Sequence, residues 1–321
     1  INERKFTMEK LFKLKEHGTD VKTEIIAGIT TFLAMAYILA VNPSYLGGID
    51  GMSAGAVFSA TAISAGIATL CMAFFANYPV ALASGMGLNA FFAFTVCGAM
   101  GYSYKVALTA VFIEGIIFML LSLFKFREAL VNKIPSNLKF AITAGIGLFI
   151  AIIALLNANV VVASESTTVA LGELSSPTVV LSLVGLLIIG ALQHYKVPGG
   201  ILLGILITWV LGIIAQLVGW YVPNPEAGVY SVIPQFSLSS FEAPKMFQFD
   251  FGFIAKNVPA FILIVFTFLY TDIFDTVGTL IGVAEKGKLL DKDGSLPNAT
   301  GALMADAVGT VVGACFGTST V

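Results

Sequence analysis

The sequence from Val258 to Gly282 reads VPAFILIVFTFLYTDIFDTVGTLIG, and its only acids are Asp272 and Asp275. At about 1.5 Å per residue, a helix of this length crosses the roughly 30 Å hydrocarbon core of a bilayer. Each carboxylate near the middle of such a helix costs roughly 2.5 to 3.5 kcal/mol on membrane insertion. The stretch therefore predicts a membrane-spanning helix whose two acids serve a purpose other than anchoring.

The two acids are three residues apart, so they lie on one face of the predicted helix. That face must turn toward protein or a water-filled cavity rather than toward lipid. A structural alternative is that both acids cap the ends of neighbouring helices. We favour the functional interpretation, because an ionisable residue at membrane depth is a candidate functional residue by default.

Composition places the chain among polytopic membrane proteins. Hydrophobic residues make up 57% and charged residues 11% of the chain, and the mean hydropathy is +0.93. A soluble domain has about 25% charged residues. The net charge of -2 is divided among loops, which gives no basis for binding nucleic acid. The three cysteines lie in apolar stretches without metal-ligand spacing, so we expect no disulfide, metal or cofactor.

Nine apolar runs follow a basic amphipathic lead at residues 1–23, which we expect to lie on the cytoplasmic membrane surface. The runs are 24–42, 54–76, 79–98, 104–124, 137–156, 177–195, 198–220, 258–283 and 299–316. A longer polar connection at 221–257 lies between the seventh and eighth runs. We interpret the Gly/Ser/Thr-rich end of the chain as the start of a tenth span, in a fragment cut at both ends.

The basic residues predict the orientation of the spans. If the amino terminus lies inside, fourteen of the seventeen Lys and Arg residues fall in cytoplasmic segments. Cytoplasmic loops of membrane proteins carry such an excess. We therefore expect a multi-pass protein of the plasma membrane with a cytoplasmic amino terminus.

The third run, PVALASGMGLNAFFAF from Pro79, contains residues that disfavour the interior of a helix. A short extended piece followed by a half-helix beginning near Ser84 fits it better than a continuous helix. The free N–H groups at a half-helix start make a ligand site, and Asn89 offers a donor and an acceptor one turn later. Gly85 and Gly87 would let the backbone approach the ligand closely. The alternative is a glycine-lined contact between helices, with Asn89 bonded across it.

Two further acids lie alone on their predicted helices, Glu114 in the fourth run and Asp306 in the ninth. For both we favour hydrogen-bonded packing inside the bundle, and a direct role in ion movement is the alternative. Together with Asp272 and Asp275, they are the candidates for proton coupling. An acid at membrane depth can take up a proton on one side and release it on the other.

Four stretches resemble the nucleobase:cation symporter-2 family, in its adenine-guanine-hypoxanthine permease branch. They are FKLKEHGTDVKTEIIAGITTFLAMAYILAVNP from Phe12, ALASGMGLNAFF from Ala81, FLYTDIFDTVGTL from Phe268 and ALMADAVGTVVGACFGTST from Ala302. They cover nearly the whole chain in the right order, which makes the resemblance more specific than any single motif.

The resemblance implies an all-α polytopic fold of the uracil-permease type, with two inverted repeats of seven spans and with the third and tenth spans broken. Residues 24–220 would then form the first repeat, 221–257 an outer connection, and 258–321 the start of the second repeat. The resemblance also implies that Asn89 and Asp272 shape a purine site and that Asp275 supports it. An essential acid of the family's tenth span would lie beyond Val321.

The function expected from these observations is import of purine nucleobases by proton symport, without enzymatic activity. The expected partners are a purine nucleobase, a proton and the lipid bilayer, and a homodimer stays open. The alternatives are a sulfate-permease-type anion transporter or a permease for xanthine or uracil. A channel stays open as well, whereas an intramembrane aspartyl protease would need its two aspartates on separate helices.

Overall fold

The computed structural model describes residues 11–123, 136–164, 166–197, 199–224, 229, 231–233, 242–287, 289–291 and 296–321. Parts of several predicted segments lie outside these residues. They are residues 1–10 of the amphipathic lead, most of 225–241 in the outer connection, and the basic loop segments 124–135 and 292–295.

Helices account for most of the described chain. They are α1 Val21–Met35, α2 Ile38–Leu46, α3 Ala54–Cys71, α4 Met86–Ala90, α5 Tyr104–Leu123, α6 Ser136–Asn157, α7 Pro177–His194, α8 Gly200–Leu217, α9 Gly252–Lys256, α10 Val258–Lys286 and α11 Ala299–Phe316. The π-helical segments Met72–Ala76 and Phe91–Ala99 continue α3 and α4. Strands β1 Val161–Ser164 and β2 Thr168–Leu171 pair in antiparallel fashion.

Seven of the nine predicted runs coincide with helical stretches that are long and apolar enough to cross a membrane, within the part of the chain that the structure describes. They are Val21–Leu46, Ala54–Ala76, Tyr104–Leu123, Pro177–His194, Gly200–Leu217, Val258–Lys286 and Ala299–Phe316. The fifth run is the 22-residue helix α6. The architecture is therefore that of a polytopic membrane protein.

The prediction of an all-helical chain missed the β-hairpin between α6 and α7. Val161 pairs with Leu171 and Ser164 with Thr168, so each strand has only four residues. Such a short alternation carries little weight beside apolar runs of twenty residues, and a lone two-stranded hairpin is marginal by itself. The connection is a small surface sheet rather than irregular loop.

The break predicted in the third run is confirmed. Residues 77–85, hereafter the non-helical segment, have no regular secondary structure, and α4 begins at Met86. The helix starts two residues later than the expected position near Ser84. Gly85 precedes the helix and has no side chain to cap it, and the Ser84 hydroxyl lies 3.4 Å from the amide nitrogen of Asn42.

The chain divides into two compact units, one of residues 1–146 and 239–321 and the other of residues 147–238. In the first unit, α11 packs on α3 and α5, and α10 packs on α5. Phe92, Phe118 and Phe268 are fully buried there. In the second unit, α7 and α8 approach closely at Gly185. A Cβ atom there would lie 2.6 Å from the Thr208 hydroxyl, so glycine permits the approach. The predicted division into repeats concerns sequence order and stays a prediction.

At one end of the first unit, loops predicted to lie on the same side of the membrane contact one another. The Asn298 side chain donates to the main-chain oxygen of Phe75 at 2.9 Å, and the Tyr78 hydroxyl donates to the carbonyl of Pro297. The Asn77 side chain donates to the main-chain oxygen of Phe12 at 3.3 Å. These contacts join the loops that the predicted orientation places in the cytoplasm.

At the opposite end, residues 242–251 run across the ends of three helices. Lys245 Nζ donates to the main-chain oxygen of Gly51 at 2.8 Å, and the Phe247 N–H donates to that of Cys315 at 2.8 Å. The Asp250 N–H donates to the Thr109 hydroxyl at 2.8 Å. These contacts therefore divide the loops of the first unit into two sets, one at each end. Spans that cross the membrane in alternating directions require this arrangement.

Candidate functional site

A cluster of buried amide and hydroxyl side chains lies where the non-helical segment, α2, α3, α4 and the last residues of the chain meet. Its members, hereafter the asparagine cluster, are Asn42, Thr61, Ser84, Asn89, Thr318 and Ser319, all of them buried. Buried polar groups in a membrane protein are costly unless they bond to one another. The folded chain must therefore bring these side chains together so that they can form hydrogen bonds with one another.

Asn42 stands at the centre of the cluster. Its amide nitrogen lies 2.7 Å from the Thr61 hydroxyl and 2.8 Å from the Thr318 hydroxyl, to which it donates. Its amide oxygen accepts from the Asn89 amide nitrogen at 2.8 Å. The Asn89 oxygen in turn accepts from the Ser319 hydroxyl. Asn42 thus fixes the position of Asn89.

The last residues reach the cluster because the chain reverses after α11. Gly317 has a φ of 86°, a conformation that side chains rarely adopt, and the chain then lies back along the helix. A Cβ atom at Gly313 would lie 2.5 Å from the main-chain oxygen of Ser319. Glycine at both positions therefore permits the return that brings Thr318 and Ser319 to the asparagines.

The acidic face of α10 lies against the non-helical segment. A Cβ atom at Gly85 would lie 3.2 Å from Oδ2 of Asp275, so the absent side chain leaves room for this carboxylate. Asp272 is buried with 3% of its surface exposed, whereas Asp275 is half-buried. Gly87 is half-buried on α4. The predicted group of Asp275, Gly85 and Asn89 thus meets around one short stretch of chain.

A hydroxyl connects two of the predicted acids. The Thr276 hydroxyl lies 2.8 Å from the main-chain oxygen of Asp272 and 2.7 Å from Oδ2 of Asp306. Asp272, Thr276 and Asp306 are all buried. Asp306 on α11 therefore belongs to the same buried polar region as Asp272 on α10, although 34 residues separate them in sequence.

Glu114 and the aromatic side chains of Phe91 and Tyr270 occupy different positions. Glu114 is fully buried on α5, next to Gly115, where a Cβ atom would lie 2.8 Å from the Val311 side chain of α11. Phe91 contacts Phe268 edge to face at a centroid distance of 4.9 Å. Tyr270 is 55% exposed and contacts Phe274, so it lies on the opposite side of α10 from Asp272.

Several residues of the site were missed at the sequence level. Each of them forms a hydrogen bond with a residue far away in sequence, and they are Asn42, Thr61, Thr318, Ser319 and Thr276. One signal was present for Asn42, because an asparagine directly before a proline inside an apolar run is unusual. That signal marks the residue but not its partner.

A bundle of apolar helices with a broken span and buried, bonded polar groups at membrane depth is typical of a membrane permease. The model described as "Permease family" (Xan_ur_permease) matches residues 22–321. The chain belongs to this family, the nucleobase:cation symporter-2 family. Its members are transporters.

Curated relatives match nearly the whole chain. Guanine/hypoxanthine permease PbuO of Bacillus subtilis is 45% identical, over 96% of this chain and 69% of its own length. Adenine permease AdeQ of Escherichia coli is 42% identical, over 98% of this chain and 68% of its own. Guanine/hypoxanthine permease PbuG of Bacillus subtilis is 41% identical, over 98% and 70%.

Proposed function

We propose that this protein is a secondary active transporter that imports the purine nucleobases adenine, guanine and hypoxanthine by proton symport. The observation that carries the proposal is the identity of 41–45% to permeases named for these bases, over nearly the whole chain. The asparagine cluster and the acids of α10 give the proposal a location in the fold. Transport at that location would occur between the non-helical segment and α10.

The proposed base ligands follow from the hydrogen-bonding edges of a purine. Such a base alternates donors and acceptors around a flat ring, which a carboxylate, a carboxamide and main-chain N–H groups complement. We assign Asp272 as the principal ligand and Asn89 as its amide counterpart, with Asp275 holding the geometry. Gly85 and Gly87 would keep the backbone beside them open. The closeness of Gly85 to Asp275 supports the role given to Asp275, since a Cβ atom at Gly85 would lie 3.2 Å from its Oδ2.

The candidates for proton coupling are Asp272, Asp275, Glu114 and Asp306, and the Thr276 hydroxyl supports Asp306 in particular. A hydroxyl has one proton and can donate to only one of its two oxygen neighbours. A protonated Asp306 would donate to Thr276 and leave that hydroxyl free to donate to the Asp272 carbonyl. An ionised Asp306 would take the hydroxyl proton instead. Protonation of Asp306 would therefore change the hydrogen bond that the main-chain carbonyl of Asp272 receives from Thr276.

The main alternatives are an anion transporter of the sulfate-permease type and a permease for xanthine or uracil. Two acids on the face of α10 oppose a dianion there, unless one of them stays protonated. The names of the relatives favour adenine, guanine and hypoxanthine over the other bases.

Competition for uptake tests the substrate. Cells that lack their own purine permeases and express the protein are given labelled hypoxanthine, with unlabelled adenine, guanine, xanthine, uracil or sulfate in excess. We expect adenine and guanine to reduce the uptake and sulfate to leave it unchanged. Competition by sulfate alone would replace the proposal with the anion alternative.

We also propose that the amino terminus lies in the cytoplasm of a plasma-membrane protein. The two sets of loop contacts support the alternation of spans, and the distribution of Lys and Arg supports the direction. The test is a single cysteine at Ser164, after replacement of Cys71, Cys97 and Cys315. An impermeant thiol reagent should label it in intact cells. Labelling only after permeabilisation would reverse the orientation.

A further inference from the structure

One side chain bonds both main-chain groups of a residue in the middle of the non-helical segment. The Thr69 hydroxyl on α3 accepts from the Leu82 N–H at 3.0 Å and donates to the Leu82 carbonyl at 3.3 Å. The hydrocarbon core offers no water to main-chain groups, so at membrane depth they need partners within the protein or in a water-filled cavity. Thr69 thus supplies to Leu82 the pair of bonds that a neighbouring β-strand would supply.

Thr69 differs in this respect from other threonines of the membrane helices. Thr31, Thr61 and Thr267 each donate to the main-chain oxygen four residues earlier in their own helix. This is the common bond of a threonine inside a helix. The partner of Thr69 lies thirteen residues later in the chain and outside its helix. Its hydroxyl therefore connects two elements.

The two sides of the non-helical segment around Leu82 have different surroundings. A cavity of about 560 Å³ lies between α1, α3 and residues 78–83, and both Thr31 and Thr69 line it. On the other side, Val80 and Leu82 pack against the buried cluster that contains Met72 and Phe118. Because the cavity side offers the backbone little contact, the two bonds from Thr69 add a restraint that packing does not provide.

The restraint is close to the site. Ser84 and Gly85 lie two and three residues after Leu82 in the chain. Ser84 meets Asn42, and Gly85 meets Asp275. We propose that Thr69 is a positioning residue for the purine site. Its hydroxyl fixes Leu82 and thereby presents Ser84 and Gly85 to their partners. The link to purine rests on the proposed function, whereas the restraint on the segment is independent of it.

Two variants and a matched control test the transport consequence. Thr69→Val keeps the shape and removes both bonds, Thr69→Ser keeps the hydroxyl, and Thr31→Val removes a hydroxyl from the same cavity. Loss of the bonds should raise the KM for hypoxanthine about tenfold in Thr69→Val, the equivalent of one or two hydrogen bonds. Vmax per molecule in the membrane should stay within about twofold of the parent. The other two variants should keep the parent's KM.

Hydrogen exchange of the purified proteins in lipid nanodiscs tests the restraint without transport. The peptide containing residues 80–85 should exchange faster in Thr69→Val than in the parent, in Thr69→Ser or in Thr31→Val. A parent-like KM in Thr69→Val, or parent-like exchange in that peptide, would overturn the proposal. So would a loss of protein from the membrane with an unchanged KM, since this indicates a role in folding alone. A parent that transports no purine would refute the proposed function, and exchange would still decide the role of Thr69.

Discussion

The asparagine cluster and the acidic group of Asp272, Thr276 and Asp306 are both buried at membrane depth, yet their chemistry differs. The cluster consists of amides and hydroxyls that bond mainly to one another and do not titrate near neutral pH. The acidic group contains carboxyls, whose hydrogen bonds change when a proton binds. We infer that the cluster fixes the geometry of the site and that the acids respond to the proton gradient.

The largest effect is expected for Asp272→Asn, which keeps the shape of the side chain and removes its charge and titration. If Asp272 is the principal ligand, concentrative uptake of purine should fall to the level of cells without the protein. The measurement is uptake with and without a protonophore at equal surface expression. Asp275→Asn serves as the matched variant and should change the ranking of purines more than it abolishes transport. Protonophore-sensitive accumulation by Asp272→Asn at the parent's level would refute the assignment.

The main effect of Asn42→Ala should be a loss of stability. It removes the centre of the asparagine cluster and leaves buried groups of Thr61, Asn89 and Thr318 without their partner. The Thr61 hydroxyl keeps its bond to the Val57 carbonyl, whereas each of the other two groups costs about 1–3 kcal/mol, so the free energy of unfolding should fall by about 2–6 kcal/mol. Thermal unfolding in detergent measures the change, with Asn257→Ala as a control whose side chain caps no helix. Equal melting temperatures for Asn42→Ala and the parent would show that the cluster does not hold the fold.

Gly85→Ala should have a smaller effect that depends on Asp275. The new methyl group would meet Oδ2 of Asp275 at 3.2 Å and push the carboxylate away, which should raise the KM for purine several-fold. Residues in contact have non-additive effects, so Gly85→Ala should cost less in an Asp275→Ala background than in the parent. A double-mutant cycle on KM measures the coupling. Additive effects would separate the two residues functionally.

The smallest effect is expected at Tyr78, near the start of the non-helical segment. Burial, together with the nearby charge of Asp291, raises the pKa of the Tyr78 hydroxyl to about 12, so the hydroxyl keeps its proton and donates to Pro297. Tyr78→Phe should lower the free energy of unfolding by about 1 kcal/mol without changing the purine KM.

The pH dependence of that contribution has a defined sign. Because the pKa is raised from its usual value of 10.0, the stabilisation is complete below about pH 10 and is lost as the pH rises toward about 12. Melting curves of the parent and Tyr78→Phe should therefore converge over this range. A difference that stays constant up to pH 12 would contradict the titration of Tyr78.

The spans were predictable from the sequence because an apolar run of about twenty residues is typical of a membrane-spanning helix. Pro79 and the glycines after Ser84 likewise mark the broken run by local backbone chemistry. The hairpin at Val161 was not predictable, since four-residue strands leave a weak pattern. The site was predictable only in part. Asp272 and Asn89 are conspicuous in apolar runs, whereas the bond from Asn42 to Thr318 spans 276 residues and depends on the packed fold.

Coupling of purine import to protons is tested most directly by uptake of labelled hypoxanthine into proteoliposomes. The purified protein is reconstituted, and a pH gradient with the acid side outside is imposed or omitted. We predict transient accumulation of hypoxanthine above its outside concentration only when the gradient is present, and its collapse on addition of a protonophore. Uptake that only equilibrates the base, at the same rate with and without the gradient, would contradict proton symport.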